Sequence, residues 1–260
     1  MPAVSVIVTT YNRKEQLRET IQSILDQTFQ DFELIVVDNF SNYDFPALME
    51  SFKSEKLKCV QHQNQGIIAV NRNVGIDLAK GEFLAFCDDD DIWLPEKLER
   101  QLELLKKYKG ESELCLTYCN TILFGEGVNS TQTNKKPVRN FDDFIPSNEL
   151  SYSTVMLRNS GIVRFNEDRY LVACEDYNLW IELILNGYRF LLMPEALVKY
   201  RVTATSASAP SRELNSIRTL FTLSMNLLKY KDVKLSYFKL FLRFNKDLMK
   251  YMVIRYRNKN

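Results

Sequence analysis

Strand and helix patterns alternate four times in the first 110 residues, and that alternation limits the chain more than any other feature. Val4 to Thr9 is an apolar, β-branched run of the kind that forms a strand buried on both faces. Lys14 to Gln27 follows with Leu17, Ile21, Ile24 and Leu25 on one helical face. Phe32 to Asn39 reads as a second buried strand, Leu57 to Gln61 as a weaker third, and Ile67 to Ala79 as a helix that Gly81 ends. "EFLAFC" is the fourth strand, and Pro95 opens a charged helix running to about Tyr108. Strand–helix alternation of this length predicts an α/β sheet with helices on both faces.

In open α/β sheets, ligands bind beyond the C-terminal ends of the strands. Three such ends can be read here: Thr9-Thr10-Tyr11-Asn12, Asp38-Asn39, and the four consecutive aspartates Asp88 to Asp91. Carboxylates facing a crevice are the usual way to hold a hard divalent cation, which then shares its remaining positions with water and substrate phosphates. The competing reading is a solvated acidic turn ahead of the helix that Pro95 opens, since acidic residues favour helix N-termini.

Composition narrows the classes. Hydrophobic residues make up 45% of the 260 and charged ones 26%, enough to bury a sizeable core. No apolar run approaches a membrane span, and "MPAVSVIVTTYN" has neither the basic region nor the cleavage site of a signal peptide. Five scattered cysteines make neither a disulfide framework nor a zinc site, and they read as buried thiols of a cytoplasmic protein. His62, the single histidine, reads as structural, which argues against Ser-His-Asp and histidine–metal chemistry.

Further along, Glu113 to Thr121 and Ser151 to Leu157 read as strands, separated by a polar loop or ribbon. Glu175 to Leu185 is an amphipathic helix, and Tyr188 to Met193 and Leu197 to Val202 are two short strands. "TATSASAPS" is a polar linker. Beyond it, Tyr237, Phe241, Phe244, Leu248 and Tyr251 are spaced as one helical face. From Lys229 onward ten Lys or Arg stand against two Asp, so the tail is basic and the body acidic although the whole chain is only +1. The tail fits either a helix on an anionic membrane surface or a stripe packed on protein, including a second copy of the chain. Nucleic acid is a poor partner for an acidic body with no recognisable binding module.

"VSVIVTTYNR", "QTFQDFELIVVDN", "NQGIIAVNRNVGIDLAKGEFLAFCDDDDIWLPEKLERQ" and "EDYNLW", in this order and spacing, resemble the family 2 glycosyltransferases of GT-A fold. The resemblance runs from about Val4 to Arg201. It implies a GT-A type, Rossmann-like mixed sheet flanked by helices over residues 1–205, with a nucleotide-binding half to about 110 and an acceptor half over 111–205. Residues 206–260 would be a C-terminal helical extension.

The resemblance also implies roles. Asp88 and Asp90 fall on the family's D-x-D and would hold Mn²⁺ or Mg²⁺, with Asp88 also touching the donor ribose and Asp89 supporting the nucleotide-sugar site. Thr9 and Tyr11 would lie against base and ribose, Asp38 and Asn39 at the base, and Arg72 and Asn73 on the diphosphate side. Asp176 matches the catalytic base. The implied activity is inverting transfer of a sugar from a nucleotide diphosphate donor, a UDP-sugar, to a hydroxyl of a saccharide or lipid-linked saccharide during surface polysaccharide biosynthesis. The implied place is the cytoplasm, at the inner face of the membrane.

Two positions depart from the family pattern. Many relatives end the second strand in two acids, of which the second reads the uracil N3–H; here Asn39 would accept that bond through a neutral amide oxygen. A histidine often follows the late Tyr-Arg pair, and here Thr203 takes that place. The rivals are a nucleotidyltransferase, which would carry a glycine-rich phosphate loop that "TTYNRKEQ" lacks, and a non-catalytic nucleotide-sugar-binding or assembly subunit.

Overall fold

The structure is a computed structural model. It describes residues 1–108, 115–125, 127–132, 137–138, 140–144, 148, 150–203, 222–226, 229 and 244–245. In chain order the elements are β1 (Val4–Thr10), α1 (Lys14–Leu25), β2 (Phe32–Asp38), α2 (Phe45–Glu50), β3 (Leu57–Gln61), α3 (Ile68–Leu78), β4 (Phe83–Asp88) and β5 (Ile92–Trp93). They continue with α4 (Lys97–Lys107), β6 (Cys115–Gly125), β7 (Val128–Gln132), α5 (Phe141–Phe144), β8 (Met156–Arg158), α6 (Glu175–Leu185) and β9 (Arg189–Val202).

One mixed sheet runs β3-β2-β1-β4-β8-β6-β9-β5, with β7 paired to β6. β1 to β4 are parallel, as the alternation with helices predicts, while β8 enters antiparallel between β4 and β6. The apolar runs behave as strands with two dry faces. Val4, Val6 and Val8 point into a core shared with Leu17 and Ile21 of α1 and Leu98 and Leu102 of α4. Ile7 points to the other side, into a core with Leu84, Phe86, Tyr177 and Trp180. Each fully buried aliphatic side chain contributes about 1.5–3 kcal/mol, and the polar residues of β1 are buried with them, Ser5 Oγ donating to Glu33 Oε1 at 2.6 Å.

Several expectations change in detail. Gly81 does not cap α3, which ends at Leu78 with Ala79 in an extended conformation. The reason for a glycine there is close approach, since a Cβ would sit 2.5 Å from the backbone nitrogen of Ser5. Residues 151–157 are not one strand: a 3₁₀ turn over Tyr152–Thr154 precedes the short β8. The two strands expected after Tyr188 form a single strand, β9, with a bulge where Pro194 and Glu195 fall between the pairs Cys119–Met193 and Asn120–Ala196. Proline has no N–H to give a ladder, and the bulge accommodates it; its carbonyl accepts from Asn120 Nδ2 at 2.6 Å. The polar stretch after β6 does form a ribbon, β6–β7. Four cysteines are buried, but Cys59, on the edge strand β3, is exposed.

The helical reading of residues 206–260 and its aromatic stripe lie outside the described residues, apart from a few positions. Among those, Thr222, Leu223 and Asn226 are buried, and Asn226 Nδ2 donates to Asn178 Oδ1 of α6 at 2.9 Å. Among the described residues no helix is long and apolar enough to cross a membrane.

Candidate active site

The ends of β1, β2 and β4 meet, because the register places Thr10 beside Asp38 and Thr9 beside Asp88. What faces the four aspartates is arginine. Arg13, just past β1, reaches Asp89 Oδ1 at 2.8 Å and Asp90 Oδ2 at 2.9 Å through one nitrogen. Arg72, on α3, reaches Asp88 Oδ1 at 3.3 Å. Arg201, near the end of β9, donates its backbone N–H to Asp91 Oδ1 at 3.0 Å and its Nε to the Asp90 carbonyl at 2.8 Å.

The aspartates are consequently not equivalent. Asp89 is buried, accepts from Thr10 Oγ1 at 2.8 Å, and ties β1 to β4. Asp91 is fully buried, and burial followed by the charge of Asp88 pushes its carboxyl well above the usual carboxylate range. Asp88 and Asp90 keep partly exposed side chains and each gives one oxygen to an arginine. Their carboxyls are also raised: burial is the largest cause for both, and Arg72 and Arg13 respectively oppose it.

Arg72 is the hub. Its guanidinium is buried, donates to Glu175 Oε1 at 2.8 Å, and stacks 3.7 Å from the Tyr152 ring centre and 5.3 Å from that of Phe165. Burial opposes its charge, and Tyr152, Glu175 and Asp88 outweigh burial, so the cation is held more firmly than in water. Glu175 and Asp176 open α6, where the helix N-terminus favours carboxylates. Ala173, in the left-handed region at φ 66°, turns the chain into that helix. Asp176 Oδ1 accepts the Tyr177 N–H at 2.6 Å, and Asn148 Nδ2 donates to Oδ2 at 3.4 Å. Burial, then the charge of Glu175, moves the Asp176 carboxyl up to about 7. A carboxylate poised there can take up a proton at neutral pH.

The remaining candidates divide. Tyr11 is 55% exposed and lines a crevice with Asn39, Phe40, Gln63, Gln65 and Gly66. Thr9 is buried, and its hydroxyl has no partner among the described residues. Two residues do not present themselves to a ligand. Asp38 is fully buried and accepts from Ser41 N–H at 3.0 Å and Gln61 Nε2 at 2.9 Å, so it shapes the loop after β2. Asn73 is turned away: it donates to the Phe165 carbonyl at 2.8 Å and to Glu167 Oε1 at 2.7 Å, and accepts the Phe165 N–H at 2.9 Å. It staples α3 to the segment before α6, which indirectly positions Arg72. His62 is structural, as expected, with Nδ1 2.9 Å from Asn71 Oδ1. Arg13, Tyr152 and Glu175 are members that the sequence reading did not select; a cation placed three residues past β1, within reach of an acidic run, was the available signal for Arg13.

The glycosyl transferase family 2 model matches residues 5–157, more than half the chain. The chain is 27% identical over 234 residues to an Escherichia coli protein named UDP-Glc:alpha-D-GlcNAc-diphosphoundecaprenol beta-1,3-glucosyltransferase WfaP, spanning 90% of this chain and 88% of that protein. It is 27% identical over 214 residues to the putative teichuronic acid biosynthesis glycosyltransferase TuaG of Bacillus subtilis, spanning 80% and 82%. Its fold matches S. aureus TarS residues 1–349 in complex with UDP-GlcNAc, with a TM-score of 0.71 at 22% identity, over 97% of this chain and 72% of that one. It also matches the mannosyltransferase PcManGT of Pyrobaculum calidifontis in complex with GDP-Man and Mn²⁺, with a TM-score of 0.65 at 18% identity, over 90% and 65%. With a sheet whose strand ends gather the acid cluster, and with these relatives, the chain belongs to glycosyl transferase family 2.

Proposed function

We propose that this glycosyltransferase inverts the anomeric carbon as it moves a hexosyl group from a nucleoside diphosphate donor, read as a UDP-sugar, to a hydroxyl of a saccharide or lipid-linked saccharide. The observation that carries the reading is the Arg72 bridge. It joins Asp88 at the end of β4 to Glu175, in the first turn of α6, where the base Asp176 stands. The name of WfaP, with its UDP-glucose donor and diphosphate-linked lipid acceptor, supports the donor and acceptor classes.

Asp88 and Asp90 suit a divalent cation. Magnesium and manganese are commonly held by one or two carboxylates, with phosphate oxygens and water as the other ligands. Among the described residues no three His, Cys, Asp or Glu side chains gather around one point, so the diphosphate itself would complete the ligand set. Mn²⁺ or Mg²⁺ held there supplies positive charge against the leaving diphosphate. The protein supplies the rest. Asp176 takes the acceptor hydroxyl proton as that oxygen bonds to the anomeric carbon, and the carbon–oxygen bond to the diphosphate breaks with its electron pair. Thr9 and Tyr11 hold base and ribose, while Arg72 keeps Asp88 and Glu175 in place. Residues 229–260, with their excess of lysine and arginine, would draw the enzyme to an anionic cytoplasmic membrane surface where a lipid-linked acceptor resides.

Sugar transfer from UDP-glucose to a diphosphate-linked acceptor, followed by nucleotide release, tests this. Asp176→Asn is expected to cut turnover about 10²- to 10⁴-fold, the usual contribution of a positioned base, while UDP still binds. Undiminished turnover would refute the assignment, and wild type that binds UDP without ever transferring sugar would mark a binding subunit.

A further inference from the structure

The crevice lined by Tyr11, Asn39, Phe40, Gln63, Gln65 and Gly66 has a volume of about 410 Å³, two exposed aromatic rings, and no charged side chain. Its backbone passes through the left-handed region. Asn12, Phe40 and Gln65 have φ of 56°, 56° and 51°, and Gly66 has +81°. For a bulky residue such as phenylalanine the left-handed region is an outlier, and such outliers persist only where the surroundings over-determine them. Here they do: Ser41 donates its N–H to Asp38, Asn12 donates its N–H to Ser41 Oγ at 2.8 Å, and Asn42 donates its N–H to Asn12 Oδ1 at 2.8 Å. The Phe40 ring is nevertheless 57% exposed and adds little to either core. The strain holds an aromatic ring at the mouth of a crevice rather than inside the protein.

Asn39 is constrained as well. Its side-chain amide contacts the backbone N–H of Asn64 at 2.9 Å. A backbone N–H can only donate, so the amide oxygen faces Asn64 and the orientation of the group is fixed. Its Nδ2 has no partner among the described residues. With its oxygen engaged by Asn64, Asn39 therefore offers the crevice a neutral donor through Nδ2.

Resting on the donor-site reading above, we propose that Phe40 is a stacking wall for the nucleobase and that Asn39 makes the site permissive between uracil and cytosine. An amide NH2 finds an acceptor on either pyrimidine, because both carry the O2 carbonyl and cytosine also has an unprotonated N3. A carboxylate in the same place would instead favour the uracil N3–H and repel the lone pair of cytosine N3. Between the two pyrimidines the site thus does not discriminate, and CDP binds about as well as UDP.

The test is calorimetric titration of UDP, CDP and inorganic pyrophosphate, with Mn²⁺, into wild type, Asn39→Asp, Phe40→Gly and Phe40→Asn. Wild type is expected to bind UDP and CDP within about tenfold of each other, and Asn39→Asp to separate them by at least about tenfold in favour of UDP. Phe40→Gly is expected to weaken both nucleotides about tenfold, in the range for losing one stacking platform, with pyrophosphate unchanged. Phe40→Asn, which tolerates the left-handed backbone, should do the same and guards against an effect of glycine flexibility. UDP binding with CDP more than about a hundredfold weaker, or full UDP affinity in both Phe40 variants, overturns this inference while leaving the donor site standing. Wild type that binds pyrophosphate but neither nucleotide overturns the donor-site reading along with it.

Discussion

Replacing Arg72 by methionine keeps an unbranched apolar stem and removes the charge from the most connected point of the site. Arg72 is 4% exposed, and its guanidinium faces Glu175 at 2.8 Å and Asp88 at 3.3 Å. Removing one partner of a buried ion pair typically costs about 3–5 kcal/mol, because the other charge is left unpaired. The stack on Tyr152 adds up to about 2 kcal/mol when desolvated, but it draws on the same charge and does not simply sum. The expected loss is about 4 kcal/mol, a large share of the roughly 5–15 kcal/mol that holds a domain folded. In a chain of this size it corresponds to a fall in melting temperature of about 10 °C. Urea denaturation followed by tryptophan fluorescence would report it, since Trp93 and Trp180 are both buried in the described cores. Adding Glu175→Gln to Arg72→Met should recover about 2 kcal/mol, because it removes the charge that the first change stranded. A loss below about 1 kcal/mol for Arg72→Met, or further destabilisation by Glu175→Gln, would refute the account of Arg72 as the compensating charge.

Because the Asp176 carboxyl lies near 7, turnover should rise as pH increases from 6 to 8, and Glu175→Gln should move that rise to lower pH by removing the charge that lifts it. The same raised carboxyl binds a proton in the folded chain at pH values where the unfolded chain has lost it. Its stabilising contribution is therefore complete below about 4 and lost as pH rises through 7, which Asp176→Asn should abolish in a stability–pH series. Lys97 is fully buried against Trp93, donates to Gln101 Oε1 at 2.7 Å, and is lowered to about 8 by burial. Between 8 and 10.5 the unfolded chain holds a proton that the folded chain lacks, so wild type should gain stability with pH across that window and Lys97→Met should not. Gly81→Ala places a Cβ 2.5 Å from the Ser5 nitrogen, where only backbone can yield, and should cost about 1–3 kcal/mol in the same denaturation assay.

The first half of the fold is readable because its strands are apolar on both faces. A run such as Val4 to Thr9 has no alternative home, and β1 to β4 lie where the pattern puts them. β5 and α2 escape notice because two and six residues carry too little periodicity. β9 reads as two strands because Pro194 looks like a break, and only the partner strand reveals that a bulge absorbs it. In the site, carboxylates at strand ends announce themselves, but their partners do not. Arg72 and Glu175 are 103 residues apart, and nothing local in either segment says which charge faces which. Asn73 and Asp38 sit beside good candidates in the sequence yet spend their hydrogen bonds on the scaffold. Side-chain direction is set by packing, and neighbours in sequence need not share it.

The central claim is that Asp88 and Asp90 hold a nucleoside diphosphate through a divalent cation. Calorimetric titration of UDP into wild type and Asp90→Ala, with Mn²⁺ present or chelated, tests it most directly. The account predicts that tight binding needs both the cation and Asp90, so that chelation and Asp90→Ala each weaken it by a similar factor. UDP binding that survives chelation and Asp90→Ala unchanged would contradict it.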